Sequence, residues 1–398
     1  MRLRSVAATF ATSAAAAANA SSKSESVAST ESDASVIGVI VLFRHGARAP
    51  VFSLPDSVLG EQGYDTLTTA PPHAYPVEVC GGKNYAAPPQ TSGLLTRIGW
   101  AQGEALGRSL RGLYGPPGDA RHIIVQSTDV SRTVLTAQAL LTGLVQTDRS
   151  TTLTPARITV ESDSPMPIDT RCARLAKSMA AGRAAHRAND DGYRAIWRSL
   201  SVAFSSHISL MSHGSVPPVI AVHDDCIARR FAGKPPSQAV DVMLCDWASR
   251  EAAREARALL KWGGELSARM AAGRLCGTIA DYLRNMHATT RDTSSSGNLP
   301  TQYVLLSGHD TSLMMLLNQL DPEGRIVPHN EWPPHTAYIT VEMRADATVQ
   351  IVYGGAQILA HAPYEDVIKF LDRARISPTE RRELCGAIDS NTAFSWSG

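Results

Sequence analysis

The chain has 398 residues, 43% hydrophobic and 19% charged, which is ample apolar material for about two domains or one large domain with an insertion. Lys+Arg 38 against Asp+Glu 37 leaves a net charge of +1, so no global field exists to attract nucleic acid or an anionic membrane. Six of the 38 basic residues are Lys and 32 are Arg, so a lone Arg is a poor clue.

Taken in order, Arg2 and Arg4 precede an Ala-rich stretch, Ser5 to Ala20, with no acidic residue before Glu25. Ala18-Asn19-Ala20 fits a signal-peptidase site, so residues 1–20 read as a secretory leader. A mitochondrial transit peptide shares that composition, and a plain disordered tail is the bland alternative. Residues 21–34 are Ser-rich and polar, a linker. Val36 to Phe43 is a nearly continuous apolar run, the pattern of a strand buried on both faces. Residues 50–93, rich in Pro and Gly, read as a long irregular excursion.

Helical periodicity runs from Thr96 to Tyr114. A short strand, His122 to Gln126, leads through the N-cap candidates Ser127, Thr128 and Asp129 into a helix over about 130–144. Residues 175–290 are rich in Ala, Arg and Glu and read as helices, with a Ser/Thr-rich linker from His287 to Gln302. Tyr303 to Leu306 is again a buried strand, followed by Ser307-Gly308-His309-Asp310 and a helix over 313–320. A hairpin turns at Arg344 to Ala347, and Ser377-Pro378-Thr379-Glu380 is a capping box. The expected fold is α/β, with a central, mostly parallel sheet flanked by helices. Residues 35–160 and 300–390 would form its core, and 161–299 a smaller, mainly helical cap insert. No stretch past the leader is long and apolar enough for a transmembrane helix, so no membrane anchor is expected.

Three polar clusters stand where buried strands run into helices: Arg44-His45-Gly46-Ala47-Arg48-Ala49-Pro50, Ser127 to Arg132, and Gly308-His309-Asp310. Ligands of open α/β sheets bind beyond the carboxyl ends of the strands, so the three can converge. Three guanidinium forks match the oxygens of a phosphate dianion. A neutral imidazole can attack phosphorus once that charge is balanced, and a nearby carboxylic acid can protonate the leaving alkoxide. This set describes phosphoryl transfer with arginine charge in place of a metal. At this composition R-H-G-x-R-x-P arises by chance about three times in 10,000 such chains. Gly308-His309-Asp310 alone, or Arg132 alone, would be ordinary structural residues.

Arg44 to Pro50 resembles the signature of the histidine acid phosphatases, the acid-phosphatase branch of the histidine phosphatase superfamily. Leu94-Leu95-Thr96 with Gly99 and Gln102, the segment Ser127 to Thr133, and Gly308 to Asp310 match in order. Within that family the chain is most similar to lysophosphatidic acid phosphatases, on the Arg-His-Gly-Ala-Arg form, Leu140 to Leu144, Trp332-Pro333-Pro334 and Leu384-Cys385. The resemblance implies His45 as the nucleophile that becomes phosphohistidine and Asp310 as proton donor. Arg44, Arg48, Arg132 and His309 would bind the phosphoryl group. No cofactor is implied, and the partner is a small phosphomonoester, a lysophospholipid among the candidates. The leader at residues 1–20 points to the secretory pathway, lysosomal or extracellular, with the mitochondrion as the alternative.

The six cysteines show no C-x-x-C and no zinc spacing. The resemblance pairs Cys172 with Cys385 and leaves Cys80, Cys226, Cys245 and Cys276 open. Gln126 replaces an Arg of several family members, and Ala47 an Asp that some carry. His223-Asp224-Asp225-Cys226 is a poor metal site, because neighbours on an extended chain point in alternate directions. Trp197, Trp247 and Trp262 are expected to pack the insert. Other readings are a phosphomutase, an inositol-polyphosphate phosphatase using the same site, and a non-catalytic phosphate-binding protein.

Overall fold

The computed structural model describes residues 34–385 apart from 52–53, 55–62, 85–91, 119–121, 146–153, 162, 170, 206–218, 238–239 and 293–300. The leader, and all of the linker except Ala34, lie outside the described residues. A mostly parallel sheet, flanked by helices and carrying a helical insertion, forms the molecule. Its strands are β1 (Val36–Arg44), β2 (Val77–Gly81), β3 (Ile123–Ser127), β4 (Ala156–Val160), β5 (Gln302–Gly308), β6 (Tyr338–Arg344), β7 (Thr348–Tyr353) and β8 (Ala356–Pro363). They lie in the order β2-β4-β3-β5-β1-β6-β7-β8. The five strands from β2 to β1 pair in parallel, and β6 to β8 extend the sheet antiparallel.

The unbroken apolar run of β1 follows from its position between β5 and β6. Val39, Val41 and Phe43 point into one core with Leu106, Leu110, Leu140 and Leu141. Those partners stand on α1 (Arg97–Tyr114) and α2 (Ser131–Leu144). Ile40 and Leu42 point the other way, into a core with Leu275, Ile279, Leu283, Leu313 and Met314. The two-residue alternation exists in the packing and is hidden in the sequence, because both faces are dry.

Between β4 and β5 lie α3 (Ala173–Asn189), α4 (Asp191–Ala203), α5 (Val219–Phe231), α6 (Val242–Lys261) and α7 (Gly264–Asp292). This segment divides by packing. Leu175 and Met179 of α3, Leu259 and Leu260 of α6, and the run from Met270 to Met286 of α7 join the sheet's core. Tyr193, Ile196, Leu200, Val222, Cys226 and Ala248 form a separate core of α4, α5 and the first half of α6. Trp197 and Trp247 pack against that second core, whereas Trp262 is 43% exposed. Helix α8 (Asp310–Leu320) follows β5, and α9 (Tyr364–Ala374) and α10 (Pro378–Cys385) close the described chain.

Several sequence expectations are corrected. β2, β4 and β8 are absent from that reading; β2 and β8 are half-exposed edge strands with little apolar signal. Helix α7 continues to Asp292, six residues into the expected linker. The N-cap of α2 is Val130, with no side-chain cap. Asp129 instead accepts from the backbone N–H groups of Lys83 (2.9 Å) and Asn84 (3.0 Å). The Ser377/Glu380 capping box opens α10, with Glu380 N–H donating to Ser377 Oγ at 3.1 Å. Cys172 and Cys385 are disulfide-bonded across 213 residues, Cys226 pairs with Cys245, and Cys80 and Cys276 are free.

Candidate active site

Strand register brings the three polar clusters together. Arg44 at the end of β1 is level with Gly308 of β5, and Ser307 of β5 is level with Ser127 of β3. The carboxyl ends of three adjacent parallel strands therefore open into one cavity of about 330 Å³, whose lining includes Arg44, His45, Arg48, Arg132, His309 and Asp310. All six residues expected at the site are present in it.

The loop after β1 is held by its backbone. Gly46 N–H donates to Thr136 Oγ1 (3.1 Å), and Ala47 N–H to Gln102 Oε1 (2.8 Å). Thr96, the N-cap of α1, donates from Oγ1 to Ala47 O (2.9 Å) and accepts from Gly99 N–H (3.1 Å). The loop and α1 approach so closely that a Cβ on Gly46 would stand 2.2 Å from Gly99 O. Only glycine fits there.

His45 is 1% exposed, and its Nδ1 lies 2.9 Å from Gly46 O. A carbonyl oxygen only accepts, so Nδ1 carries the proton and Nε2 keeps its lone pair. Burial, followed by the charges of Arg132, Arg44 and Arg48, pushes the His45 pKa well below its ordinary value. The ring is thus neutral and oriented, the state an imidazole nucleophile needs. His309 is likewise lowered, to about 3, by burial and Arg132; its Nε2 lies 3.0 Å from Thr128 Oγ1.

The guanidiniums are pinned at one edge. Arg44 donates to Pro333 O (2.6 Å) and pairs with Asp310 Oδ2 (2.8 Å). Arg48 donates to Ala49 O (3.1 Å) and pairs with Asp224 Oδ1 (2.6 Å). Burial and Arg48 lower Arg132 to about 9, still cationic at neutral pH. The buried Nε–H groups of Arg44, Arg48 and Arg132 have no acceptor among the described residues. Oxyanion oxygens are the acceptors such a donor set fits.

Burial pushes the Asp310 pKa up, but Arg44, then Arg48 and His309, outweigh burial and hold the carboxyl at about 2. Trp332 Nε1–H donates to its Oδ2 (3.1 Å), and Thr311 N–H to Oδ1 (2.8 Å). In the free site Asp310 is an anion.

Sequence reasoning missed the opposite wall. His223 to Cys226 belongs to helix α5 and is not extended. Ile220, His223 and Asp224 share one helical face and line the cavity, while Asp225 pairs elsewhere, with Arg229 at 2.6 Å. His223 is lowered to about 4 by burial and Arg44, donates to or accepts from Ser249 Oγ at 2.9 Å, and packs on Trp332 at 4.6 Å. His335, buried and 5.7 Å from the His45 ring, is a further neighbour. The signal that could have found this wall was helical spacing in 220–231.

A parallel sheet whose strand ends gather three arginines, a neutral histidine and a carboxylate defines an α/β site for phosphoryl chemistry. The sequence profile of the histidine phosphatase superfamily (branch 2) matches residues 35–195. Lysophosphatidic acid phosphatase type 6 of Bos taurus is 23% identical over 387 residues, 87% of this chain and 85% of that protein. Lysosomal acid phosphatase of Xenopus laevis is 33% identical over 110 residues, 27% of this chain and 20% of that one. The phytase of Citrobacter braakii shares the fold with a TM-score of 0.56 at 15% identity, covering 87% of this chain and 99% of that one. Residues 35–195 thus carry the pattern of the histidine phosphatase superfamily (branch 2), and the likeness to the phytase is one of fold. That match supports a phosphatase-type hydrolase activity in general.

Proposed function

We propose that this protein hydrolyses phosphomonoesters by passing the phosphoryl group through His45. Arg44, Arg48, Arg132 and His309 hold the phosphoryl oxygens, and His45 Nε2 forms the N–P bond as the ester P–O bond breaks. The departing alkoxide takes a proton from Asp310. Water then attacks the phosphohistidine, gives its proton back to Asp310, and phosphate leaves with Nε2 restored.

Asp310 begins ionised, so it must first gain a proton. A monoester's second ionisation falls near pH 6. Below that pH the substrate enters as a monoanion and can pass its proton to Asp310, becoming the dianion that three arginines balance. The acidic preference of the reaction follows from this transfer.

The observation that carries the reading is the Nδ1–H bond of His45 to Gly46 O in a buried ring. A phosphate-binding protein needs no such nucleophile. Acid-labile, base-stable phosphate trapped on wild-type enzyme and absent from His45→Ala tests it; label on Asp310 or a serine would sink it. Release of free phosphate from p-nitrophenyl phosphate separates hydrolysis from a mutase.

For the substrate, the cavity wall supplies Val51, Pro167, Ile168 and Ile220. Among its described lining residues, Arg44, Arg48 and Arg132 are the arginines and no lysine occurs. That wall suits a singly phosphorylated ester with an apolar body, a lysophospholipid included, better than an inositol polyphosphate. The name of the Bos taurus relative supports a lysophospholipid substrate, and that of the Xenopus laevis relative a lysosomal location. N-terminal sequencing of the mature chain tests that location's premise, removal of residues 1–20.

A further inference from the structure

Asp224 has no part in the chemistry described above, yet it stands inside the same cavity. One carboxylate oxygen pairs with Arg48 Nη2 at 2.6 Å, and the other accepts from Val51 N–H at 2.6 Å. Its side chain is 11% exposed. It comes from α5, whereas the arginines come from the end of β1, the loop after it and α2, so it joins the wall to the floor. Its charge is felt throughout the site, raising Arg44 and Arg132 in opposition to burial.

The charge balance has a consequence. His45, His309 and His223 are neutral, so the ionised groups are three arginines, Asp310 and Asp224. One positive charge remains, where the arginines and Asp310 alone would leave two. A phosphoryl group on the floor uses that charge up. The remainder of the ester lies between the floor and the α5 face carrying Ile220, His223 and Asp224.

We propose that Asp224 is a specificity-determining residue that restricts the site to singly phosphorylated esters. A second phosphate on the same skeleton would face an anion already committed to Arg48, in a cavity where the arginine charge is spent. Two like charges several ångströms apart in a partly buried site disfavour binding by roughly 10–100-fold. A hydroxyl at that place carries no charge and meets no such cost. This inference rests on the phosphatase reading and names the substrate class within it.

The experiment compares kcat/KM for propane-1,3-diol monophosphate and propane-1,3-diol bisphosphate, with p-nitrophenyl phosphate as the gauge of the underlying activity. Wild type should favour the monophosphate by about 10–100-fold at low salt. Asp224→Asn should shrink that ratio at least several-fold, while Asp224→Glu, which keeps the charge, should largely hold it. The ratio sets two substrates against one preparation, so the amount of folded variant cancels. An equal preference in wild type, or a ratio that Asp224→Asn leaves unchanged, overturns the inference alone. A wild type inactive on p-nitrophenyl phosphate overturns the phosphatase reading and the inference with it.

Discussion

The floor and the wall of the active cavity are made in different ways. The floor stands on strand ends: Arg44, His45, His309 and Asp310 occupy positions fixed by the pairing of β1 with β5. Its geometry follows from sheet register, which tolerates no slip because a one-residue shift turns every side chain over. The wall stands on α5, which belongs to a separate helical core and is tied to α6 by the Cys226–Cys245 disulfide. Nothing in the sheet dictates where that helix sits. The floor can therefore hold one chemistry constant while the wall is free to choose the substrate.

The largest break comes from removing the floor's nucleophile. His45→Ala should reduce phosphate release to background on every monoester, because no neighbouring group can take the phosphoryl. Residual turnover above background, followed by colorimetric phosphate assay, would place the nucleophile elsewhere. Asp310→Asn sharpens the comparison further, since its effect should depend on what leaves. On an alkyl phosphate a loss of roughly 10²–10⁴-fold in kcat/KM is expected, and on p-nitrophenyl phosphate a much smaller one. Equal losses would mean that Asp310 holds Arg44 rather than delivers a proton.

A smaller effect is read from pH. Asp310, held at about 2, is ionised in the free enzyme throughout the working range. His45 and His309, both lowered, stay neutral there. The titrating partner is thus the substrate. For an alkyl ester, kcat/KM should fall about tenfold per unit as pH rises above about 6, following the monoanion. A flat profile to pH 8 would exclude proton delivery by the substrate. The gentlest change concerns the wall alone. Replacing Cys226 and Cys245 by Ser frees a loop of 19 residues' separation and should lower stability by about 3 kcal/mol. Thermal unfolding measures it, and an unchanged midpoint would show that the helical core holds α5 unaided.

The same division explains what the sequence revealed. Arg44 to Pro50 and Gly308 to Asp310 are legible because a strand exit compresses several functional side chains into one short segment. Helix α1 is legible because it buries one stripe, whereas α2 is buried on nearly all sides and shows as an apolar run after Ser127, Thr128 and Asp129. β4 escaped notice although Ala156, Ile158 and Val160 are buried in alternation, since five residues offer too few repeats to stand out. Asp224 was legible as an acidic residue but not as a member of the site, because its meeting with Arg48 joins positions 176 apart through two independent cores. The charge state of Asp310 was out of reach for a related reason. Residue types give the desolvation, but whether Arg44 lies 2.8 Å away or twice that decides the sign.

The Cys172–Cys385 bond gives the molecule a topology that its linear order conceals. It ties the start of α3 to the last residue of α10, beside Asp163 and Asp169, which accept from Arg171 and Arg381. All of α4 to α9, including the α5 wall and the His309–Asp310 corner, hangs within one covalent ring. A protease that opened the backbone once anywhere in that ring would release nothing. The two pieces would remain a single molecule, migrating as one band on a non-reducing gel and as two after thiol treatment. Survival of such a nick would be a property of connectivity alone, independent of how tightly the pieces pack.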